Sequence, residues 1–306
     1  MAGLAAQPRI GRSGRAITGA RLVEVAAPDG LMLAAWAFEP RVASPLPPVL
    51  CLPGLTRNAR DFAALAIAIS QGSIAPRQVI AIDMRGRGAS DWATDPTQYD
   101  LMVELGDINA VIAALGITRA AVVGTSRGGI HAMLLALTRP GFLTHAILND
   151  IGSVIEPEGL LRIKGYVGAA PPLPWPVAVE ALKRGAEREF PALSGDEWRR
   201  FAQQLFVDAG GLAALDYDPA LARTLDAVVP GMAPIDLAQP FAALAPIPTL
   251  VLRGRLSTLL SEATLARMAL VHPRLRMLRV DQEGHAPLLW DATTQAAIKA
   301  HLAPEA

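Results

Sequence analysis

The chain has 306 residues, with 28 basic and 28 acidic side chains and 52% apolar residues. This length and apolarity predict one or two domains around a large core, and the zero net charge excludes the attraction by which nucleic acids and anionic membranes are bound. The chain shows no secretory signal pattern, no apolar run of membrane length and no cysteine besides Cys51, which favours a soluble, cytoplasmic protein.

The first half of the chain has the pattern of a hairpin followed by alternating strands and helices. Residues 1–20 show no periodicity and are expected to form a loose N-terminal arm. Strand patterns at 22–26 and 31–38 are joined through Pro28-Asp29-Gly30, a strong turn signal. The alternation that follows is typical of βαβ units and a mostly parallel sheet. Its predicted strands are 49–52, 79–82, 120–123 and 146–148, and its predicted helices are 61–69, 103–115 and 128–137.

This alternation stops after Asp150. Residues 152–240 show no clear strand and contain a proline-rich stretch at 171–176 and a capping-box pattern at Ser194, so we interpret them as an inserted helical cap. The alternation resumes with strands at 249–252 and 277–280 and helices at 261–271 and 292–301. The predicted organisation is a core of residues 21–151 and 241–306 with the cap of residues 152–240 inserted into it.

The most specific motif is G-x-S-x-G at Gly124 to Gly128, where a predicted strand runs into a predicted helix. The two glycines permit a sharp turn that presents the Ser126 hydroxyl at the N-terminus of the helix. The motif predicts Ser126 as a nucleophile and the Arg127 N–H as a donor to the oxyanion of the reaction. A tight turn with an incidental serine is the alternative.

A serine hydroxyl needs a base, and His285 is the best placed of the five histidines. It follows the last predicted strand, at the sheet edge where Ser126 is also expected. The glycine-containing turn after the first central strand, Pro53-Gly54, predicts the Leu55 N–H as the second oxyanion donor. A plain strand-to-helix turn is the alternative there.

In this order the motifs resemble those of the α/β-hydrolase family. The residues that carry the resemblance are Pro53-Gly54, the stretch from Asp83 to Ser90, the turn at Ser126, the cap after Asp150, and Gly284-His285-Ala286-Pro287. The resemblance implies an α/β-hydrolase fold, in which a mostly parallel sheet of about eight strands is flanked by helices and carries an inserted helical cap. It also implies a nucleophile at Ser126, a base at His285 and an oxyanion hole at Leu55 and Arg127.

One departure from the family concerns the acid that supports the histidine. Similar hydrolases place an aspartate after the next-to-last strand, where this chain has Thr258, and a threonine carries no charge to stabilise an imidazolium. Asp150 is the first candidate, because some capped members of the family place their acid there. A structural aspartate that caps the first turn of the cap is an equal alternative. The weaker candidates are Glu262, Asp281 and Glu283.

These residues predict a serine hydrolase that cleaves a small or medium neutral ester or lactone through an acyl-enzyme. Hydrolysis of a C–C bond in a diketone and perhydrolysis are alternatives on the same residues. Because Thr258 replaces the usual acid, a further alternative is a ligand-binding protein of this fold that has lost efficient turnover. Another alternative is that Thr258 is an engineered replacement.

The expected partner is a neutral carbonyl compound. The sequence contains no spacing typical of metal ligands and no nucleotide fingerprint, so neither a metal nor a cofactor is expected, and the chain is predicted to be a monomer or a homodimer. Aromatic residues of the cap are predicted to line an acyl pocket or, alternatively, to form the cap's own core. They are Tyr166, Trp175, Trp198, Phe206 and Tyr217.

Overall fold

The computed structural model describes residues 16–304, so most of the predicted N-terminal arm lies outside the described residues. The described chain opens with an antiparallel hairpin of β1 (Arg21–Ala26) and β2 (Met32–Phe38). Gly30, in the turn between the strands, has a φ of 84°, which a side chain would oppose. The hairpin predicted from Pro28-Asp29-Gly30 is confirmed.

Four strands and three helices follow in alternation. The strands are β3 (Val49–Leu52), β4 (Val79–Asp83), β5 (Ala120–Thr125) and β6 (Leu143–Asn149), and the helices are α1 (Ala63–Ser70), α2 (Leu101–Ala114) and α3 (Arg127–Thr138). Nearly all residues of these strands are buried, which explains why each appears in the sequence as an almost continuous apolar run. The N-cap of α2 is Asp100, whose side chain accepts the Met102 N–H.

The segment of residues 152–240, called the cap from here on, contains short strands as well as helices. Its helices are α4 (Pro157–Tyr166), α5 (Trp175–Ala186) and α6 (Gly195–Leu205), and its strands are β7 (Val154–Ile155), β8 (Leu173–Pro174), β9 (Phe206–Asp208), β10 (Leu212–Leu215) and β11 (Ile235–Asp236). A further helix, α7 (Ala238–Ala242), crosses the boundary between the cap and the core. The expectation of no strand here is wrong, because strands of two to four residues are too short to show alternation. The capping box at Ser194 is confirmed, with Glu197 as its partner.

The chain ends with β12 (Thr249–Gly254), α8 (Glu262–Val271), β13 (Leu275–Val280) and α9 (Ala292–Leu302). The main sheet then has eight strands in the order β1-β2-β4-β3-β5-β6-β12-β13. The β1–β2 and β2–β4 pairs are antiparallel and the other pairs are parallel. The predicted mostly parallel sheet of about eight strands is therefore confirmed.

Apolar side chains cover both faces of this sheet. Val122 belongs to one large cluster and its neighbour Val123 to the other, as expected for a strand buried on both sides. Two smaller clusters involve the cap, one around Tyr217 and one around Trp198. Among residues 16–304, no helix combines the length and the apolarity that a bilayer crossing requires. Because the central strands are parallel, their carboxyl ends meet at one edge of the sheet, where a site is expected.

Candidate active site

Ser126 occupies a sharp turn between β5 and α3. Its φ of 50° and ψ of −116° are unfavourable for a residue with a side chain, and surrounding contacts hold it there. A Cβ at Gly124 would lie 2.4 Å from the Gly128 carbonyl oxygen, and a Cβ at Gly128 would lie 2.0 Å from the Leu52 carbonyl oxygen. Only glycine fits at both positions, so these residues allow the turn that presents the serine at the sheet edge.

His285 reaches Ser126 from the loop between β13 and α9. Its Nε2 lies 2.9 Å from Ser126 Oγ, and its Nδ1 lies 2.7 Å from Asp150 Oδ2. An ionised carboxylate can only accept, so the ring nitrogen beside Asp150 carries the proton and the other nitrogen accepts from the serine hydroxyl. The structure thus brings together the three residues that the sequence selects as nucleophile, base and first candidate for the acid.

The Asp150 carboxylate is fully buried and has further donors besides His285. The Gly254 N–H donates to its Oδ1 at 3.0 Å, and the Ser257 hydroxyl donates to its Oδ2. Both donors belong to the end of β12 and the loop that follows, where similar hydrolases carry their acid. This loop therefore orients the carboxylate of the neighbouring strand. Within the described chain, the Thr258 hydroxyl forms no hydrogen bond with His285 or Asp150.

The weaker acid candidates have other partners. Glu262 pairs with Arg279 at 2.8 Å, and Asp281 pairs with Arg255. Glu283 accepts the Leu288 N–H at 2.8 Å. Among residues 16–304, no group of three or more His, Cys, Asp or Glu side chains is arranged to hold a metal ion.

Leu55 and Arg127 lie on the two sides of the Ser126 turn. Gly54, which precedes Leu55, is close enough that its Cβ would contact the Ser126 Cβ at 3.7 Å. Over residues 16–304, neither the Leu55 N–H nor the Arg127 N–H donates to a backbone carbonyl, and both residues border the serine. An oxyanion needs N–H groups beside the nucleophile that have no other acceptor. The geometry is consistent with the predicted role of Leu55 and Arg127 as these donors, and the role itself stays a prediction.

A cavity of about 310 Å³ lies in front of Ser126 and His285. Tyr166, Phe206 and Tyr217 line it, as predicted. Trp175 and Trp198 do not line it, which corrects the prediction for these two residues. The Trp198 side chain is buried in the cap cluster with Phe190 and Phe201, and the Trp175 indole N–H donates to Asp208 at 3.0 Å.

Two aromatic residues in the cavity wall, Phe190 and Phe201, were not selected from the sequence. Phe201 lies one helical turn after Trp198 on α6, so the apolar spacing of this helix was a usable signal. The spacing identifies the buried face of α6, but it does not tell which residue of that face borders the cavity.

Two ion pairs also lie in the cavity wall. Arg57 Nε donates to Asp61 at 2.7 Å, and Arg162 pairs with Glu189. Burial raises the pKa of the Glu189 carboxyl, although Arg162 opposes this effect. Because each arginine faces a carboxylate, the charges of the wall balance. No pattern in the sequence marks these four residues, since charged residues on loops and helices are usually at the surface.

Comparisons with known proteins agree with this geometry. A family model described as alpha/beta hydrolase fold matches residues 47–292. The 3-hydroxybutyrate-oligomer hydrolase of Cupriavidus necator is 29% identical over 303 residues, covering 94% of this chain and 95% of that protein. The 2-(acetamidomethylene)succinate hydrolase of Mesorhizobium japonicum is 30% identical over 244 residues, covering 78% and 81%. The crystal structure of an alpha/beta hydrolase from Novosphingobium aromaticivorans is 39% identical with a TM-score of 0.85, covering 94% and 99%.

Proposed function

Because the chain belongs to the α/β-hydrolase family and is a hydrolase, we propose that it cleaves a small or medium carboxylic ester or lactone through an acyl-enzyme on Ser126. The observation that carries this proposal is the continuous set of contacts from Asp150 through His285 to Ser126, at 2.7 and 2.9 Å. A hydroxyl, an imidazole and a buried carboxylate in this order are the groups that nucleophilic acyl transfer needs.

The proposed reaction proceeds in two halves. As Ser126 Oγ attacks the carbonyl carbon, its proton moves to His285 Nε2, and Asp150 stabilises the imidazolium that forms. The carbonyl oxygen becomes negative and accepts hydrogen bonds from the Leu55 and Arg127 N–H groups. The tetrahedral adduct then expels the alcohol, which takes the proton from His285. Water repeats the sequence on the acyl-enzyme and releases the carboxylic acid.

The cavity supports a neutral substrate. Its aromatic and aliphatic lining favours an apolar acyl or alcohol group, and its volume of about 310 Å³ suits a small or medium one. The two arginines in the wall are each paired with a carboxylate, so a substrate anion would compete with an existing partner.

A second candidate is an oligomeric hydroxy-acid ester that carries a free carboxylate at one end. The similarity to a 3-hydroxybutyrate-oligomer hydrolase over nearly the whole chain favours it, and Arg57 or Arg162 would be the group that meets the carboxylate. The alternative of a ligand-binding protein without efficient turnover rests on the acid missing at Thr258, and the contact between Asp150 and His285 supports a complete triad instead.

The proposal is tested with a fluorophosphonate probe and a panel of esters. We expect the probe to label the wild-type protein rapidly. In Ser126→Ala we expect no labelling and a kcat that is lower by ~10⁴-fold or more. The panel pairs each hydroxy-acid dimer with its methyl ester, which removes the charge and adds one methyl group, and release of the first hydroxy-acid unit measures cleavage of the internal ester in both. The proposal expects a higher kcat/KM for the methyl ester, and a higher kcat/KM for the free acid would favour the second candidate. A folded wild-type protein that neither reacts with the probe nor hydrolyses any ester would contradict both.

A further inference from the structure

A fully buried carboxylate, that of Glu104 on α2, is not used by the proposed reaction. Its Oε1 accepts from Arg87 Nη1 at 2.5 Å, and its Oε2 accepts from Arg127 Nε at 2.7 Å. His131 Nε2 lies 3.3 Å from the same Oε2. Burying charges costs desolvation energy that their attraction does not always offset, so such a cluster is weak evidence for a gain in stability. What distinguishes this cluster is the set of segments that it holds in place.

Both arginines are connected to the predicted oxyanion donors. Arg87 Nε donates to the Leu55 carbonyl oxygen at 2.6 Å, which anchors the loop after β3. Arg127 is itself the residue after Ser126, and its Nη2 also donates to the Tyr99 carbonyl oxygen at 2.8 Å. One carboxylate thus connects the loop after β3 to the N-terminus of α3. These are the two segments whose N–H groups have to converge on one substrate oxygen.

The two arginines also determine the charge of Glu104. Burial alone would raise the pKa of Glu104, but Arg87 and Arg127 outweigh this effect and hold the pKa below its usual range. The carboxylate is therefore ionised at neutral pH, and two guanidinium groups share it. Both arginines therefore keep a charged partner that fixes their side chains, and with them the two segments that these side chains hold.

We propose that Glu104 is a positioning residue of the oxyanion hole, and that it sets the spacing of the Leu55 and Arg127 N–H groups by holding Arg87 and Arg127. This inference rests on the proposed function, because it requires an oxyanion to form on the substrate of Ser126.

The chain offers a matched control in Asp107, one turn further along α2. Asp107 is also fully buried, and it accepts from Arg85 Nε and Nη2, both at 2.6 Å. Arg85 belongs to the same loop after β4 as Arg87, but it pairs on its other side with Asp29 in the β1–β2 turn, at 2.9 Å. Asp107→Asn therefore breaks a comparable buried pair on the same two elements without touching the Leu55 or Arg127 contacts.

The test compares Glu104→Gln with Asp107→Asn in thermal unfolding, in ester hydrolysis and in inhibition. The inhibitors are a trifluoromethyl ketone, which forms an oxyanion with the serine, and the corresponding secondary alcohol, which does not. We expect Glu104→Gln to lower kcat about 10- to 100-fold with a much smaller change in KM. We expect the same variant to weaken binding of the ketone by the same factor and to leave binding of the alcohol unchanged. Asp107→Asn is expected to keep kcat and ketone affinity within about 3-fold of wild type.

Equal losses of kcat in the two variants would overturn the proposal, as would a loss of kcat in Glu104→Gln without weaker ketone binding. If Glu104→Gln does not fold, Arg87→Lys replaces it, since a lysine cannot donate to Leu55 and Glu104 in the same fork geometry. Wild-type kcat in Arg87→Lys would then overturn the proposal. Failure of the proposed function is distinguishable, because the wild-type protein itself would then be inactive toward esters and the probe.

Discussion

The carboxylate of Asp150 meets donors from three separate residues: His285, Gly254 and Ser257. Two of them come from the end of β12 and the loop that follows it, which has Thr258 where similar hydrolases carry an acid. The ends of β6 and β12 are neighbours in the sheet, and neighbouring strands lie about 4.8 Å apart. A carboxylate at the end of either strand can therefore reach the same ring nitrogen. We therefore expect Asp150 to act as the acid from the end of β6, with Gly254 and Ser257 as its donors.

This arrangement predicts which substitutions affect turnover. Asp150→Asn should lower kcat by about 10³- to 10⁴-fold, because it removes the charge that stabilises the imidazolium. Thr258→Ala should keep kcat within about 3-fold, and Thr258→Asp should not raise it, since Asp150 already occupies the partner position of His285. Ester hydrolysis by each purified variant checks this. Near wild-type turnover in Asp150→Asn would contradict the assignment.

Ser126 and His285 were predictable because a short motif and a strand end identify each of them locally. The sequence does not distinguish Asp150 as the acid from Asp150 as a structural cap, since its donors Gly254 and Ser257 lie 104 and 107 residues away in the chain. Trp198 was wrongly assigned to the pocket for a related reason. The apolar face of α6 is visible in the sequence, but the surface against which it packs is not.

At the scale of elements, the contact between α3 and β3 leaves the least space for a side chain. The Leu52 carbonyl leaves no space for a side chain at Gly128, and both partners are backbone atoms that cannot move independently. Gly128→Ala should therefore lower the free energy of unfolding by more than about 3 kcal/mol or prevent folding.

The matched control is Gly106→Ala, in the middle of α2. The nearest atom to its Cβ would be in the Pro28 side chain, at 4.0 Å, so alanine fits. We expect a gain of about 0.5–1 kcal/mol from its higher helix propensity. Chemical unfolding curves measure both variants, and a Gly128→Ala protein as stable as wild type would show that α3 can move away from β3.

The elements of the core and of the cap differed in how well they could be predicted. Strands such as β4 and β5 are buried on both faces, so the sequence shows them as continuous apolar runs. In the cap, β10 pairs with β8 and β9 over only two and three residues. Such short strands form only because the tertiary structure brings their segments side by side. The residues of the strands themselves do not carry a pattern that predicts this pairing.

At the scale of the whole molecule, the cap is attached to the loops that carry the site. The Gly88 N–H donates to the Asp216 carbonyl at 3.0 Å, and the Asp218 N–H donates to the Gly86 carbonyl at 2.7 Å. On another side, a Cβ at Gly284, next to His285, would lie 2.6 Å from the Glu189 Cβ. The cap therefore packs against the loop after β4 and against the histidine loop, so substitutions in these contacts affect both cap and site.

The stability of the molecule should depend on pH through Glu283. Burial raises the pKa of this carboxyl from an ordinary 4.5 to about 7. The folded state therefore binds the proton more tightly than the unfolded chain, and this contribution to stability is complete below pH 4.5 and is lost as the pH rises through 7.

We expect the unfolding free energy to fall by roughly 2–3 kcal/mol over this range, and Glu283→Gln to remove that part of the slope. Urea unfolding at several pH values compares the two proteins. Parallel stability curves for wild type and variant would show that Glu283 does not carry this dependence.

Ser126 directly follows β5 and Asp150 directly follows β6, so both belong to one β5–α3–β6 unit, which has a consequence for the order of assembly. These residues lie only 24 positions apart, whereas His285 lies 135 positions beyond Asp150. Short loops close at a smaller entropic cost than long ones, so Ser126 and the backbone of Asp150 can come together before the C-terminal segment docks and supplies Gly254, Ser257 and His285. The rate at which activity recovers during refolding would then report the docking of the histidine loop. During synthesis, Ser126 would be in position before His285, the base that activates it, has been added to the chain.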